Sequence, residues 1–119
     1  MKVILCGACG RMGRNVAQLC SERGVTVTAG VDVSPAPMPF PVYQSFAEVK
    51  EEADVVIDFS PASSVKERLD FCKAHKIGIV IAGTAFSDED EALIREAANV
   101  IPVFQTGNLS VGVNLLQLL

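Results

Sequence analysis

Residues 2–32 have the sequence KVILCGACGRMGRNVAQLCSERGVTVTAGVD and predict one strand–helix–strand unit. The apolar run 2–6 is followed at once by a glycine, which is typical of a strand buried on both faces. The β-branched run 25–31 indicates a second strand that ends at Asp32. Between the two strands, apolar residues recur on one face of a helix, which we expect to end at Gly24: Met12, Val16, Leu19 and Cys20.

Strands and helices continue to alternate after this unit. Prolines at positions 35, 37, 39 and 41 predict an extended loop over 33–41. Ser45 and Glu48 have capping-box spacing, which predicts a helix over 45–53. Further strands are expected near 42–43 and at 54–59, 79–81 and 102–104, and further helices after Pro61, from Ser87 or Asp88, and after Asn108 or Ser110. The pattern predicts an α/β fold, a Rossmann-type doubly wound parallel sheet of about six strands with helices on both faces.

Composition narrows the classes of function. The chain has 119 residues, a formal net charge of −4 and 50% hydrophobic residues, which suits one domain with its own core. The negative charge argues against a nucleic-acid partner, which usually needs a basic patch. No apolar run approaches the ~18 residues of a membrane span, so no membrane partner is expected. Because the first apolar run is too short for a secretion signal, we expect a cytoplasmic location.

The four cysteines favour structural roles. Cys6 and Cys9 form a Cys-x-x-Cys pair, for which a redox pair or half a zinc site is the alternative interpretation. Because no secretion signal is expected, we expect reduced thiols. The sequence has no second Cys-x-x-Cys or Cys/His pair to complete a metal site, so no metal site is expected. Cys20 and Cys72 fall on apolar helix positions, which indicates core packing. The single histidine, His75, is expected at a helix end, where it complements the helix dipole and has no catalytic role.

A glycine loop follows the first predicted strand. Gly7, Gly10 and Gly13 have the spacing Gly-x-x-Gly-x-x-Gly, whereas the commoner dinucleotide fingerprint has a glycine where Ala8 stands. Glycines at the start of a helix let backbone N–H groups approach a pyrophosphate, and Asp32 is placed to accept hydrogen bonds from ribose hydroxyls. The loop therefore predicts a nicotinamide dinucleotide. The alternative is that these glycines only allow tight strand–helix packing.

The residues after Asp32 bear on the choice of cofactor. Val33 and Ser34 stand where an arginine or lysine would pair with the 2′-phosphate of NADPH, so the sequence leans toward NADH. Arg11 and Arg14 on the first helix are also within reach of such a phosphate, or lie on a solvated helix face. Both NADH and NADPH therefore stay open.

Other strand ends complete the predicted crevice. In open α/β sheets, ligands bind at the carboxyl ends of the strands. Besides the glycine loop and Asp32, the residues at these ends are Ser60, Gly83 and Gly107. Their convergence indicates one binding site along this edge.

Three ordered motifs resemble dihydrodipicolinate reductase (4-hydroxy-tetrahydrodipicolinate reductase). The glycine loop 7–14, GACGRMGR, resembles the opening motif of that family. Residues 56–60, VIDFS, are similar to its strand ending in Asp-Phe-Ser/Thr. Residues 107–114, GNLSVGVN, are similar to its Asn-Phe-Ser-x-Gly-Val-Asn segment. The spacing between these blocks fits as well, so the resemblance covers the whole chain.

The resemblance implies a two-domain, usually tetrameric oxidoreductase of lysine and diaminopimelate biosynthesis. Such an enzyme passes hydride from NADH or NADPH to a cyclic dihydropyridine dicarboxylate precursor. The N-terminal domain binds the cofactor, and the C-terminal domain holds the substrate and a proton donor in a His-His-x-x-Lys motif. We accordingly expect a homo-oligomer for the full-length protein.

The resemblance also implies the cofactor-binding residues: Gly7, Ala8, Cys9, Gly10, Arg11, Met12, Asp32, Phe59, Ser60, Ala82, Gly83, Thr84, Thr106, Gly107, Asn108 and Leu109. The family's Gly-Thr-Thr-Gly-Phe loop aligns without gaps on residues 82–86, where alanines replace both glycines, whereas a shift of one residue aligns Gly83-Thr84 on Gly-Thr. Leu109 replaces the usual phenylalanine. Core packing for Phe59 and a simple turn for Gly107 are alternatives, and an N-cap role for Asn108 is compatible with cofactor binding.

The last residues lead to an expectation about domains. The chain stops at Leu119 within a predicted helix whose apolar residues would stay uncovered. We therefore expect residues 1–119 to be a dinucleotide-binding domain without its substrate domain. Such a chain would hold no catalytic residue and would bind cofactor without turnover. The alternatives are the cofactor domain of another NAD(P)-dependent dehydrogenase and a stand-alone nucleotide-binding sensor.

Overall fold

The computed structural model describes residues 1–59, 65–82 and 86–106. Strands and helices alternate through these ranges. In chain order the elements are β1 (Lys2–Cys6), α1 (Arg11–Glu22), β2 (Thr26–Val31), β3 (Val42–Tyr43), β4 (Val55–Asp58), α2 (Val65–His75), β5 (Gly78–Ile81), α3 (Asp88–Ala97) and β6 (Val103–Gln105).

The six strands form one sheet in the order β3-β2-β1-β4-β5-β6. Every neighbouring pair is parallel. In the centre, Leu5 of β1 stands opposite Gly30 of β2 and Ile57 of β4. The chain runs outward from β1 to β3, returns to the other side of β1 and runs outward again to β6. This order confirms the predicted Rossmann-type sheet.

Two core layers cover the faces of the sheet. Side chains alternate along β1, so that Ile4 belongs to the first layer and Leu5 to the second. Helices α2 and α3 complete the first layer with Val65, Leu69, Cys72, Ile94 and Ala97. Helix α1 completes the second layer with Val16 and Cys20. The predicted placement of helices on both faces is therefore confirmed.

Several predicted boundaries are confirmed. After α1, Gly24 has a φ of +72°, a left-handed conformation that glycine adopts without strain. At the start of α3, Ser87 Oγ accepts a hydrogen bond from Asp90 N at 3.1 Å and caps the helix.

Over the described ranges, no helix is long and apolar enough to span a bilayer.

The predicted helix over 45–53 is wrong. Only Phe46–Glu48 form one turn of 3₁₀-helix, and the chain is extended again at Val49. The capping-box pair is reduced to a 3.5 Å contact between the Ser45 and Glu48 side chains. The physical reason is the path of the chain, which must pass from edge strand β3 beneath β2 and β1 to reach β4. An extended chain covers more than twice the distance per residue of a helix.

Met12, which the sequence places on the apolar face of α1, is not part of the core. Its side chain is 50% exposed, whereas Val16 and Cys20 are buried. Met12 lies in the first turn of α1, where the helix has only just left the glycine loop. Its side chain therefore lies at the rim of the cavity described below.

The proline-rich loop over 33–41 folds back onto the glycine loop. Ala36 N donates to the Cys9 thiol sulfur at 3.3 Å. Gly30 N donates to Pro41 O at 2.8 Å. A Cβ on Gly30 would stand only 2.8 Å from a ring carbon of Phe40, so glycine is needed for this close packing. The loop thus has a defined path, and it ends in β3 where a short strand is predicted.

Candidate functional site

A cavity of about 500 Å³ opens at the carboxyl ends of β1, β2 and β4. This is the edge at which the strand order reverses, and ligands bind there in open α/β sheets. The glycine loop forms one wall, and Asp32 and Val33 follow it after β2. Gln44 and Phe46, Phe59, and Glu67 with Arg68 on α2 line the remainder. Its volume is within the ~300–1,000 Å³ of typical small-molecule sites.

The three glycines of the loop have different surroundings. Gly7 has a φ of +87° and makes the turn out of β1. A Cβ on Gly13 would lie 2.4 Å from the carbonyl oxygens of Gly7 and Ala8, so Gly13 is required for packing. A Cβ on Gly10 would meet nothing closer than Gly7 O at 3.8 Å. Close packing therefore explains why residue 13 is a glycine. It does not explain why residue 10 is a glycine, because the open side of Gly10 faces the cavity.

The N-terminus of α1 points its backbone at this cavity. Gly10 is the N-cap and offers no side-chain oxygen to the first-turn N–H groups. The first turn carries no acidic residue. Arg11, which is exposed, adds a positive charge to the cavity wall. These groups together form a surface suited to an anion.

Asp32 is held in place across the glycine loop. Its Oδ2 accepts a hydrogen bond from Cys9 N at 2.9 Å, and its Oδ1 accepts one from Ser34 N at 2.9 Å. Each carboxylate oxygen can accept about two hydrogen bonds. The fixed carboxylate can therefore still accept hydroxyl donors from a ligand in the cavity.

The predicted site residues near the glycine loop divide into two groups. The cavity wall includes Gly7, Gly10, Arg11, Met12, Asp32 and Phe59. Ala8 lies behind the wall and is fully buried, and Cys9 contributes its backbone N–H to Asp32. Besides lining the cavity, Phe59 packs against the second core layer. Arg14 Nε donates to Cys9 O at 3.3 Å, which directs it toward the loop backbone.

Two of the predicted residues farther along the sheet, Ala82 and Thr106, lie at the same edge. Ala82 follows β5, and its N–H donates to Asp58 O at 2.7 Å. Thr106 follows β6, and its N–H donates to Ile81 O at 2.9 Å. Neither is part of the described cavity wall. The remaining predicted residues lie outside the described ranges: Ser60, Gly83, Thr84, Gly107, Asn108 and Leu109.

Sequence reasoning missed a buried ion pair beside the cavity. Arg68 Nε donates to Asp58 Oδ2, and the two side chains are 3% and 1% exposed. A buried charge without a partner is strongly unfavourable, so the pair joins β4 to α2. Two features of the sequence could have indicated this ion pair. One is a carboxylate within the apolar strand 55–58, and the other is an arginine on the helix face that carries Val65 and Leu69.

Three further wall residues had no such signal. Gln44 and Glu67 are exposed, and Phe46 is buried. Glu67 Oε1 accepts a hydrogen bond from Phe46 N at 3.0 Å, which ties the first turn of α2 to the 3₁₀ turn. Only the fold brings these positions together, because they come from separate connections of the sheet.

The cysteines and the histidine occupy the places that the sequence suggests. All four cysteines are free thiols. Burial raises the pKa of Cys20 to about 11. Burial, and secondarily the charges of Asp58 and Cys6, raise the pKa of Cys72 to about 12. His75 ends α2 and stacks on Phe71 with the ring centroids 4.2 Å apart, outside the cavity wall.

Comparison with known proteins identifies the relatives of this chain. The family described as dihydrodipicolinate reductase, N-terminus, matches residues 1–109. A 4-hydroxy-tetrahydrodipicolinate reductase from Caldanaerobacter subterraneus subsp. tengcongensis is 43% identical over 98% of this chain and 47% of its own length. One from Clostridium botulinum is 35% identical, over 98% and 46%. The chain thus spans about half the length of these curated relatives.

Solved structures share the fold. A dipicolinate-bound dihydrodipicolinate reductase from Paenisporosarcina superposes with a TM-score of 0.76 at 22% identity, over 94% of this chain and 49% of that one. An oxidoreductase from Agrobacterium radiobacter, solved with NAD⁺, L-tartaric acid and magnesium, gives 0.74 at 21% identity, over 88% and 34%. At these identities the structures support the fold, and the match along the sequence supports the family. This chain belongs to the dihydrodipicolinate reductase N-terminal family.

Proposed function

We propose that this chain is the NAD(P)H-binding domain of a 4-hydroxy-tetrahydrodipicolinate reductase of lysine and diaminopimelate biosynthesis. The observation that carries the proposal is the cavity in which the open side of Gly10 and the fixed carboxylate of Asp32 face the same space. When bound, the reduced nicotinamide supplies a hydride to a cyclic dicarboxylate. The chain's own residues bind and orient the dinucleotide.

The pyrophosphate is assigned to the glycine loop. The absence of a side chain at Gly10 lets the phosphate oxygens approach the first-turn N–H groups of α1. Arg11 adds a charge-assisted contact from the same turn. The helix dipole stabilises negative charge at this position.

The adenosine ribose is assigned to Asp32. Its carboxylate accepts hydrogen bonds from the ribose hydroxyls, and Cys9 N and Ser34 N hold it in the required position. A 2′-phosphate in the same place would meet the negative charge of Asp32, with Val33 offering no compensating cation. We therefore propose a preference for NADH over NADPH, with Arg11 as the group through which NADPH could still bind.

The nicotinamide is assigned to the other half of the sheet edge. From β1 the dinucleotide would extend past Phe59 toward the ends of β5 and β6. We propose that the following residues contact this half: Ser60, Ala82, Gly83, Thr84, Thr106, Gly107, Asn108 and Leu109. The substrate, the proton donor and turnover belong in this proposal to a separate domain, and the full-length enzyme is a cytoplasmic homo-oligomer.

Calorimetric titration with NADH and, separately, NADPH tests the proposal. We expect saturable binding, tighter for NADH. Gly10→Val should abolish binding of both, because its side chain fills the approach to the phosphates. Asp32→Asn should weaken NADH roughly tenfold or more, the usual effect of losing a hydrogen bond to a charged group.

The controls separate binding from folding. Asp88→Asn, in the exposed first turn of α3 outside the cavity wall, should leave both affinities unchanged. Thermal melting should show that Gly10→Val and Asp32→Asn are folded. A folded wild-type chain that binds neither dinucleotide would contradict the proposal, as would variants that bind like the wild type.

A further inference from the structure

The cavity wall also contains residues outside the glycine loop and the end of β2, and we call this part of the wall its far end. Its far end is lined by Gln44 and Phe46, which follow β3, and by Glu67 and Arg68 on α2. In a dinucleotide the ribose lies between the phosphate and the base. With the phosphate at Gly10 and the ribose at Asp32, as the proposed function has them, the adenine base lies at this far end.

The far end suits a flat aromatic ring. The ring of Phe46 is almost fully buried in the wall at this end. Val33, which is 84% exposed, lies at the rim. Apolar side chains with a few placed polar groups are the usual lining of such sites.

Glu67 supplies the placed polar group. Its Oε1 is fixed by the hydrogen bond from Phe46 N at 3.0 Å. A carboxylate has acceptor capacity on both oxygens, so one such bond leaves room for another donor. The neighbouring Arg68 directs its Nε to Asp58 and is 2% exposed, so the accessible charge at this end is the carboxylate.

We infer that Glu67 accepts a hydrogen bond from the exocyclic amine of adenine and so selects adenine dinucleotides over those with a 6-oxo purine. The inference rests on the proposed function. Along the cavity, donors at the glycine loop face the phosphates, the Asp32 acceptor faces the hydroxyls, and the Glu67 acceptor faces the amine. A 6-oxo purine would place a carbonyl oxygen against the carboxylate, which removes the hydrogen bond and adds repulsion.

The test compares two ligands that differ at the base. NADH and reduced nicotinamide hypoxanthine dinucleotide are titrated into the protein by calorimetry. Wild type should bind NADH about tenfold more tightly, as expected for one hydrogen bond to a charged group. Glu67→Gln should lower this ratio to about one, because its amide can accept from Phe46 N and also donate to the carbonyl oxygen of hypoxanthine.

Each outcome decides the matter. Glu96→Gln, an exposed carboxylate on α3 outside the cavity wall, should keep the wild-type ratio. A purely structural role of Glu67 would weaken both ligands equally and leave the ratio unchanged, which would overturn the inference. If the wild type binds both ligands equally tightly, the inference is overturned whatever the result for Glu67→Gln. The proposed function would still stand in that case, because NADH binds. Failure to bind NADH at all would overturn both.

Discussion

Gly10 and Gly13 belong to the same loop but differ in what surrounds them. The space beside Gly13 is filled by the backbone of Gly7 and Ala8, whereas the space beside Gly10 is open to the cavity. From the sequence the two glycines look equivalent, and the spacing alone left packing and ligand binding as alternatives. The structure gives Gly13 a packing role and leaves the space beside Gly10 open.

This difference predicts opposite effects of adding one methyl group. Gly13→Ala should lower the free energy of unfolding by ~1–3 kcal/mol or more, because its Cβ forces backbone atoms apart. Gly10→Ala should change it by less than about 0.5 kcal/mol, as for other substitutions into open space. Urea unfolding of both variants measures this. Equal destabilisation would mean that the loop moves as one unit and that the open side of Gly10 has no special status.

Among the elements, those with a local signal were predicted well. The strands 2–6 and 55–58 are apolar runs. Helix α3 begins at Asp88 with Ser87 as its N-cap, and Ser87 is one of the two residues predicted for that role. The segment 45–53 failed because its local capping pattern competes with the need to cross beneath the sheet. The path that the sheet topology requires overrides the local helix propensity of this segment. No residue within the segment indicates that the chain must cross beneath the sheet.

The buried pair Asp58–Arg68 is a contact between elements, and it gives the second prediction. Arg68→Met should lower the free energy of unfolding by about 3–5 kcal/mol, because it leaves the Asp58 charge buried without this partner. The double variant Asp58→Leu/Arg68→Met should recover much of that loss, since it removes both charges. Urea unfolding of the wild type, both single variants and the double variant completes the cycle. Additive losses would show that the two side chains do not interact.

At the level of the whole molecule, the sequence predicted the architecture but not the composition of the site. Alternation of strands and helices suffices for a doubly wound sheet, since the handedness and connection rules leave few arrangements. The part of the cavity wall formed by the glycine loop and Asp32 could be predicted, because one contiguous motif and a single acidic residue specify it. The far half, with Gln44 and Glu67, depends on how separate connections converge, and a linear pattern carries no distance between them.

The buried thiols of Cys72 in the first core layer and Cys20 in the second make the free energy of unfolding depend on pH in the alkaline range. The pKa of Cys20 is raised from 9.0 to about 11, and that of Cys72 from 9.0 to about 12. Above pH 9 the unfolded chain releases protons that the folded chain keeps, so the free energy of unfolding should fall as pH rises. This contribution is fully present below pH 9.

Urea unfolding at pH 8, 9, 10 and 11 under reducing conditions measures this slope. Cys72→Ala should be less stable at pH 8 through lost packing, but its stability should fall less steeply above pH 9. Because every other titratable group is the same in both proteins, the difference between the slopes isolates the thiol. Parallel curves for the two proteins would contradict the prediction.

The central position of β1 has a consequence for synthesis on the ribosome. β1 is synthesised before both of its partner strands, since Val3 pairs with Val27 on one side and with Val55 on the other. Until β4 is translated, the nascent chain presents β1 as an apolar strand with one unpaired edge, and such edges recruit other chains. Both edges of β1 can therefore be paired only once Val55–Asp58 has been synthesised, about halfway through the 119 residues.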